Sequence, residues 1–300
     1  MALPHSSLEV DPLRVSNTCK LTTPLHVLVG SARARKLVDD LRCHVSSGRF
    51  PTGSFIQVDP ESAAEGPQLM VSSPELCFTQ LATELPFIEL VRLGFEFCGS
   101  YRLDKQSEPE RGFRSDLPLT TIKSLRSFLD KTRGLKGHVN AQKALRFIAD
   151  GSASPMETVL TMLLTLPYRL GGYGFSMPQL NYRIEVDIKT RRTRGRTRYY
   201  GDLYWPLEQI DVEYDSDAFH ATSEQIAQDA VRRNALASAG VSMLTVSRKQ
   251  IMNTVAMHEF AEVLSKLLEK RLQYPMPDFI SRRYVLRAQL LSKRPITEAS

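Results

Sequence analysis

The sequence predicts an α/β fold, and three observations carry that prediction. Helix and strand patterns follow one another from residue 154 onward in the order α-β-β-β-α-β-α, residues 209–215 alternate between apolar and acidic side chains, and several helices begin at recognisable capping residues. The chain has 300 residues, 42% of them hydrophobic, which suffices for two modest domains. We predict a smaller α+β N-terminal domain, an αβββαβ domain and a basic tail, over residues 1–150, 151–271 and 272–300.

The first half of the chain shows short strand patterns followed by helices. The strand-like runs are residues 26–30, 53–59 and 69–71. Ser73 with Pro74 predicts the start of a helix, because proline at the first helical position loses no hydrogen bond. The largely apolar residues 76–97 then continue as helix, with a break at Pro86.

A polar segment and two short helices lead to the predicted domain boundary. Residues 104–116 are too polar for a core and predict an exposed loop. Residues 120–131 and 139–149 follow as helices. The small residues 150–154 then break the pattern, and we place the domain boundary there.

The second half opens with a helix and three strands. Ser154 and Glu157 form a capping box with Pro155 between them, which predicts a helix start. The predicted strands are residues 182–188, 198–205 and 209–215.

A helix, a strand and a further helix complete the pattern. Thr222 and Gln225 form a capping box for a helix that ends at Gly240. Residues 241–246 predict the fourth strand. Ser247, with Gln250, is expected to cap one long final helix.

The third strand carries the residues with the clearest chemical meaning. Asp211, Glu213 and Asp215 share one face of it, and Asp202 lies on the neighbouring strand. Carboxylates gathered in a partly buried place repel one another unless a cation lies between them. Mg²⁺ or Mn²⁺ takes oxygen ligands and assists phosphodiester cleavage, so Asp202 and Glu213 are the candidate metal ligands. The alternative is an acidic strand face that is simply solvated.

The element order, together with the acids, resembles the PD-(D/E)XK nuclease superfamily, in the branch related to the very short patch repair (Vsr) endonuclease. The matching features cover about 100 residues. In order, they are Ser-Pro-Met-Glu157, Gly-Asp202-Leu-Tyr-Trp, Asp-Val-Glu213-Tyr-Asp215-Ser-Asp-Ala-Phe-His220, Gln-Asp229-Ala-Val-Arg232-Arg233-Asn, and Gly240 before a hydrophobic strand. The resemblance implies a restriction-endonuclease-like core that cleaves DNA.

The resemblance also implies roles for individual residues. Its catalytic set is Glu157, Asp202, Glu213, Asp215 and His220, with Asp229, Arg232 and Arg233 in support. The superfamily's usual lysine, two positions after the strand acid, is Asp215 here. His220 is expected to orient water or stabilise charge in its place.

Several of these residues also have simpler explanations that the sequence leaves open. The capping box alone accounts for Glu157. Asp229 and Arg233 stand at i and i+4 and form an ordinary surface pair on a helix. His220 can equally pack within a loop.

A basic hairpin, residues 189–198, supports a nucleic-acid partner. Six of its ten residues are lysine or arginine: Lys189, Arg191, Arg192, Arg194, Arg196 and Arg198. Such a cluster favours phosphate groups, although a solvated loop would have the same composition. Downstream, Arg282, Arg283, Arg287, Lys293 and Arg294 suggest a second basic surface.

The remaining features restrict the setting. The net charge of +6 favours an anionic partner. Four separated cysteines suit a reducing cytoplasm, and no apolar run is long enough for a membrane span. Residues 70–82 resemble part of AbiEi-type abortive-infection proteins, which implies a bacterial defence, toxin-antitoxin or mobile-element context and a protein partner from the same operon.

Two functional hypotheses follow. The first is an Mg²⁺- or Mn²⁺-dependent nuclease that hydrolyses phosphodiester bonds of DNA. The second is a non-catalytic nucleic-acid-binding regulator, or an antitoxin-like protein, that retains the fold without cleavage. The sequence does not indicate an oligomeric state.

Overall fold

The computed structural model confirms a mixed α/β fold. It describes residues 24–36, 38–46, 49–58, 69–103, 112–189, 194–215, 223–272 and 278–292. Within that part of the chain, no helix is both long and apolar enough to cross a membrane.

Three small two-stranded sheets occupy the first half. Strands β1 and β2 pair in parallel, whereas β3 with β4 and β5 with β6 are antiparallel. Their bounds are Leu25–Val29, Leu41–Val45, Phe55–Val58, Leu69–Ser72, Tyr101–Leu103 and Phe113–Ser115 for β1 to β6. The sequence did not predict β2, β5 or β6, and β6 lies inside the segment expected to be a loop. Strands β5 and β6 have three residues each and are too short to establish an alternating pattern, which explains their omission, whereas the five residues of β2 do alternate between apolar and polar side chains.

Four helices pack beside these strands: α1 Pro74–Leu81, α2 Phe87–Cys98, α3 Ile122–Lys131 and α4 His138–Leu145. Ser73 caps α1 as predicted, since its Oγ accepts a hydrogen bond from the Leu76 amide at 3.3 Å. The break at Pro86 is also confirmed, because Pro86 directly precedes α2.

The second half contains a four-stranded sheet of order β10-β9-β8-β7. Its strands are β7 Gln179–Lys189, β8 Arg194–Trp205, β9 Ile210–Asp215 and β10 Ser242–Ser247. Helix α5, Pro155–Thr165, precedes the sheet, and helix α6, Ser223–Ser238, connects β9 to β10. β9 and β10 are parallel, and parallel neighbours need such a crossover helix. This is the predicted order of elements.

The C-terminal helices differ from the prediction of one long helix. Ser247 and Gln250 do form the predicted capping box, but α7, Arg248–Met252, ends after five residues. Asn253 caps a new helix, α8 Thr254–Leu267, through hydrogen bonds to two backbone amides. A last helix, α9 Phe279–Leu291, lies within the segment expected to be a basic tail. The expected second basic surface is wrong for Arg283 and Arg287, because both are buried.

The sheet has an apolar cluster on each face. Leu203 and Val212 belong to the main core, together with Leu160 of α5 and residues of α2 and α9. Tyr204 lies in a separate cluster with Leu236 of α6. The main core is continuous across residues 150–154, so the predicted boundary there does not interrupt packing. The division into domains stays a prediction.

Candidate active site

A break in the ladder between β7 and β8 shapes the site. The register passes from Leu180 opposite Leu203 to Tyr182 opposite Gly201, and so skips Asn181 and Asp202. Asn181 adopts a positive φ of 48°, a left-handed conformation that asparagine tolerates better than most residues. The register is the same on both sides of this gap, so one residue on each strand is left out of the ladder.

Asp202 lies where β8 and β9 separate. The pairing of these two strands covers only Leu203 to Trp205, and beyond it Asp202 Oδ2 accepts a hydrogen bond from the Tyr214 amide at 2.8 Å. Burial raises the pKa of the Asp202 carboxyl to about 7, and the nearby carboxylates of Glu213 and Glu157 add to the effect. A substantial fraction of Asp202 therefore remains protonated near neutral pH unless a cation stabilises the charged form.

Asp211 is the most isolated carboxylate of the site. It is fully buried, and among the described residues neither of its side-chain oxygens accepts a hydrogen bond from an amide or a guanidinium, although the Glu213 carboxyl lies close to it. Its carboxylate rests against the backbone of Gly201, where an added Cβ would lie 2.3 Å from Oδ1. Burial raises its pKa, and the negative charge of Asp202 raises it further. An unpaired buried carboxylate is costly, so this residue needs a proton or a cation.

Glu213 interacts both with a neighbouring carboxyl group and with an arginine. Arg232 of α6 donates through Nη2 to Glu213 Oε1 and also to the Tyr200 carbonyl. Burial raises the pKa of Glu213, and Asp211 lies close enough to share a proton with it. Arg232 opposes this rise in the pKa. We call Asp202, Asp211 and Glu213 the acid cluster, and Arg232 is the cation in contact with it.

Glu157 reaches the cluster from the start of α5. Its Oε2 accepts hydrogen bonds from the Ala153 amide at 2.8 Å and from Asn181 Nδ2 at 2.7 Å. The same Asn181 nitrogen donates to the Gly151 carbonyl at 2.9 Å. Half of the predicted capping box is present: Ser154 Oγ accepts from the Glu157 amide, whereas the Glu157 carboxylate accepts from the Ala153 amide and not from that of Ser154. Glu157 therefore lies in the first turn of α5 and also interacts electrostatically with Asp202.

The other predicted residues lie at varying distances from this arrangement. Asp215 ends β9, opposite Ser247 of β10. Asp229 and Arg233 are exposed on α6, where Arg233 Nε donates to the Asp229 backbone carbonyl at 3.4 Å. His220 lies outside the described residues.

The basic hairpin is described only in part. The backbones of Lys189, Arg194 and Arg196 belong to β7 and β8, but the side chains of residues 187–196, which include Arg191 and Arg192, are outside the description. Arg198 is largely exposed, with its Nε 3.9 Å from Glu185 Oε1.

The acid cluster has the donor chemistry that a hard divalent cation requires. Its three carboxylates face one guanidinium, and Asp211 contributes two buried oxygens that accept no hydrogen bond from an amide or a guanidinium of the described residues. Carboxylate oxygens are the ligands that Mg²⁺ and Mn²⁺ take. Among the described residues, no three His, Cys, Asp or Glu side chains already stand in a metal-binding arrangement. To bind a divalent cation, Glu213 would therefore have to release its contact with Arg232.

Two residues of the site were not singled out from the sequence. Asp211 was placed on the acidic face of the third strand without a role, and its burial follows only from packing beneath α6. Asn181 had no signal, because its function depends on the break in the β7–β8 ladder.

Comparisons with protein-family models, with curated proteins and with solved structures gave no match to this chain.

Proposed function

We propose that this protein is a nuclease that hydrolyses phosphodiester bonds of DNA with Mg²⁺ or Mn²⁺ at the acid cluster. The observation that carries the proposal is the buried Asp211 carboxyl, which accepts no amide or guanidinium hydrogen bond from the described residues and lies next to two further carboxyls whose pKa values are raised. A cluster of strongly perturbed carboxyl groups is typical of functional sites. The restriction-endonuclease-like resemblance of the β8 and β9 acids supports the same conclusion.

Each side chain in and around the acid cluster has a separate role in this proposal. Asp202 and Glu213 would hold the ion, which when bound supplies a Lewis acid for the phosphate and lowers the pKa of a water. The Tyr214 amide orients Asp202. Asn181 fixes the Glu157 carboxylate beside Asp202. Arg232, once released by Glu213, can offer its guanidinium to a phosphate oxygen.

The cellular setting is part of the proposal. A cytoplasmic role in bacterial defence, toxin-antitoxin or mobile-element biology, with an operon-encoded partner, rests on the resemblance of residues 70–82 alone. The basic hairpin would contact phosphates of the substrate.

A non-catalytic nucleic-acid-binding regulator is the second candidate, and one contact favours it. Arg232 already neutralises part of the Glu213 charge. Asp215 also occupies the position where the superfamily usually has lysine. A protein with this arrangement could bind DNA without cutting it.

The decisive experiment is cleavage by the purified protein. Plasmid DNA and RNA are incubated with Mg²⁺ or Mn²⁺, and separately with a chelator. We expect metal-dependent cleavage of DNA, reduced about 100-fold or more by Asp202→Asn and by Glu213→Gln, because each removes a charged metal ligand. DNA binding should be retained or strengthened, since each change removes negative charge beside a phosphate.

Glu224→Gln is the matched control. It removes one carboxylate from an exposed position on α6, and cleavage should remain at the wild-type rate. DNA binding without any metal-dependent cleavage would support the regulator. Equal cleavage by the wild type and by the double variant Asp202→Asn, Glu213→Gln would exclude the acid cluster.

A further inference from the structure

The helices α3 and α4 form a strongly basic exterior in the first half of the molecule. Between residues 120 and 150 the chain has seven lysines and arginines against two aspartates. All seven basic side chains are exposed: Lys123, Arg126, Lys131, Arg133, Lys136, Lys143 and Arg146. The apolar faces of both helices point inward, with Leu125, Leu129 and Leu145 in or beside the core. Core packing therefore does not explain the charge.

Part of this exterior is concave. A groove of about 600 Å³ is lined by Lys123, Arg126, Lys131 and the two aspartates, Asp130 and Asp150. A second groove of about 250 Å³ lies between α3 and α4, and it shares Arg126 and Asp130 and adds Arg146. We call the two together the basic groove.

The basic groove is connected to the acid cluster by a short path. Asp150 lines the groove and accepts a hydrogen bond from the Ile122 amide at 2.8 Å. The next residue, Gly151, accepts from Asn181 through its carbonyl. Asn181 in turn donates to Glu157, which interacts with Asp202. Residues 150–157 therefore link the lining of the groove to the acid cluster through hydrogen bonds and chain neighbours.

We propose that the basic groove binds the phosphate backbone of the DNA whose cleavage is proposed above. This inference rests on that proposed function and adds a second contact surface to it. Lys123 and Lys131 are eight residues apart on one helix, a span of about 12 Å. Along one strand of a duplex the phosphates are spaced by about 3.4 Å of axis, so this span faces about three or four phosphates of one strand. The groove therefore matches DNA in charge and in length. Contacts to phosphates do not distinguish one base sequence from another.

The test compares two double variants with equal charge. Lys123→Ala with Arg126→Ala changes the groove, and Arg42→Ala with Lys266→Ala removes two exposed basic residues elsewhere. Affinity for a short duplex DNA is measured with a chelator present, over a range of salt concentrations. The groove variant should bind about tenfold more weakly, with the slope of log affinity against log salt reduced by about two. The control variant should match the wild type.

A third variant tests the sign of the effect. Asp130→Asn removes an acid from the groove, and DNA should bind more tightly to it. Equal affinities and salt slopes for the groove and control variants would overturn the inference, as would a wild type that binds no DNA. Polyglutamate that competes as well as DNA at equal charge would assign the groove to an acidic protein and overturn it too. Proposed metal binding is judged separately, by Mn²⁺-induced stabilisation, so the two failures are distinguishable.

Discussion

Charged side chains are buried in two regions of this protein, and the two regions differ in the hydrogen-bond partners that those side chains have. In the arginine cluster, formed by Arg283 and Arg287 of α9, each guanidinium donates hydrogen bonds, although the buried Nε of Arg283 has no partner among the described residues. Arg283 Nη1 donates to Tyr173 Oη at 2.9 Å and to His258 Nδ1 at 2.8 Å, and its guanidinium lies over the rings of Tyr173 and Phe279. Arg287 donates to the Ile251 carbonyl. In the acid cluster, by contrast, neither oxygen of Asp211 accepts a hydrogen bond from an amide or a guanidinium of the described residues, and its near neighbour is the carboxyl of Glu213.

The difference separates structural charge from functional charge. Hydrogen bonds and aromatic rings replace much of the water that the arginines lose, so α9 can dock on α5 and α8 with its charges buried. Asp202 and Glu213 each have one donor, the Tyr214 amide and Arg232. Asp211 has no such replacement among the described residues, so ionisation of its buried carboxyl destabilises the folded state. A site that tolerates this cost is expected to gain something on binding a ligand.

The largest effect on stability should come from the arginine cluster. Arg283→Ala leaves His258 and Tyr173 without their donor and opens a cavity, so the free energy of unfolding should fall by about 2–4 kcal/mol. Urea unfolding followed by far-ultraviolet circular dichroism measures it. Arg282→Ala, one position earlier and exposed, should cost less than about 0.5 kcal/mol. Similar losses for the two variants would show that the buried contacts of Arg283 are unimportant.

A smaller effect of opposite sign should come from the acid cluster. Asp211→Asn replaces a buried charge with a neutral amide of similar shape. At about pH 8 without metal, we expect it to raise the free energy of unfolding by on the order of 1 kcal/mol. Asp229→Asn, at an exposed site, should leave stability within about 0.5 kcal/mol. A destabilised Asp211→Asn variant would mean that the ionised carboxylate has a favourable partner within the protein.

Sequence reasoning recovered the elements with strong local signals. Residues 209–215 alternate over a full strand, and Ser154, Ser73 and Ser247 are capping residues that hydrogen-bond within their own turn. Their structure therefore depends on neighbours in the chain. The sequence did not predict α9, because its arginines give it the composition of a solvated tail. Their burial is compensated by tertiary contacts, among them those with Tyr173 and His258.

The candidate site likewise contains some residues whose role could be predicted from the sequence and others whose role could not. Asp202 and Glu213 could be named because strand spacing and the resemblance both point to them. The isolation of Asp211 could not be predicted, since it depends on what α6 and Gly201 place around it. The contact of Arg232 with Glu213 likewise requires the crossover helix to return over β9, which no local pattern specifies.

The acid cluster also gives the protein a defined dependence on pH. Burial raises the pKa of Asp202 from 3.8 to about 7, so the folded state keeps a proton that the unfolded chain releases. The stability from this proton is fully present below the unfolded pKa, and it is lost as the pH rises through the folded pKa. Metal-free wild type should therefore lose stability relative to Asp202→Asn as the pH rises across this range.

Thermal unfolding with and without Mn²⁺ tests most directly whether a cation completes the acid cluster. At about pH 8, Mn²⁺ at a hundredfold excess over its dissociation constant should stabilise the wild type by about 2.7 kcal/mol, and Tm should rise by several degrees. The rise should shrink near pH 5, where protons compete for the carboxyls, and it should vanish in the Asp202→Asn, Glu213→Gln double variant. An equal rise in wild type and double variant, or no rise at either pH, would contradict the account.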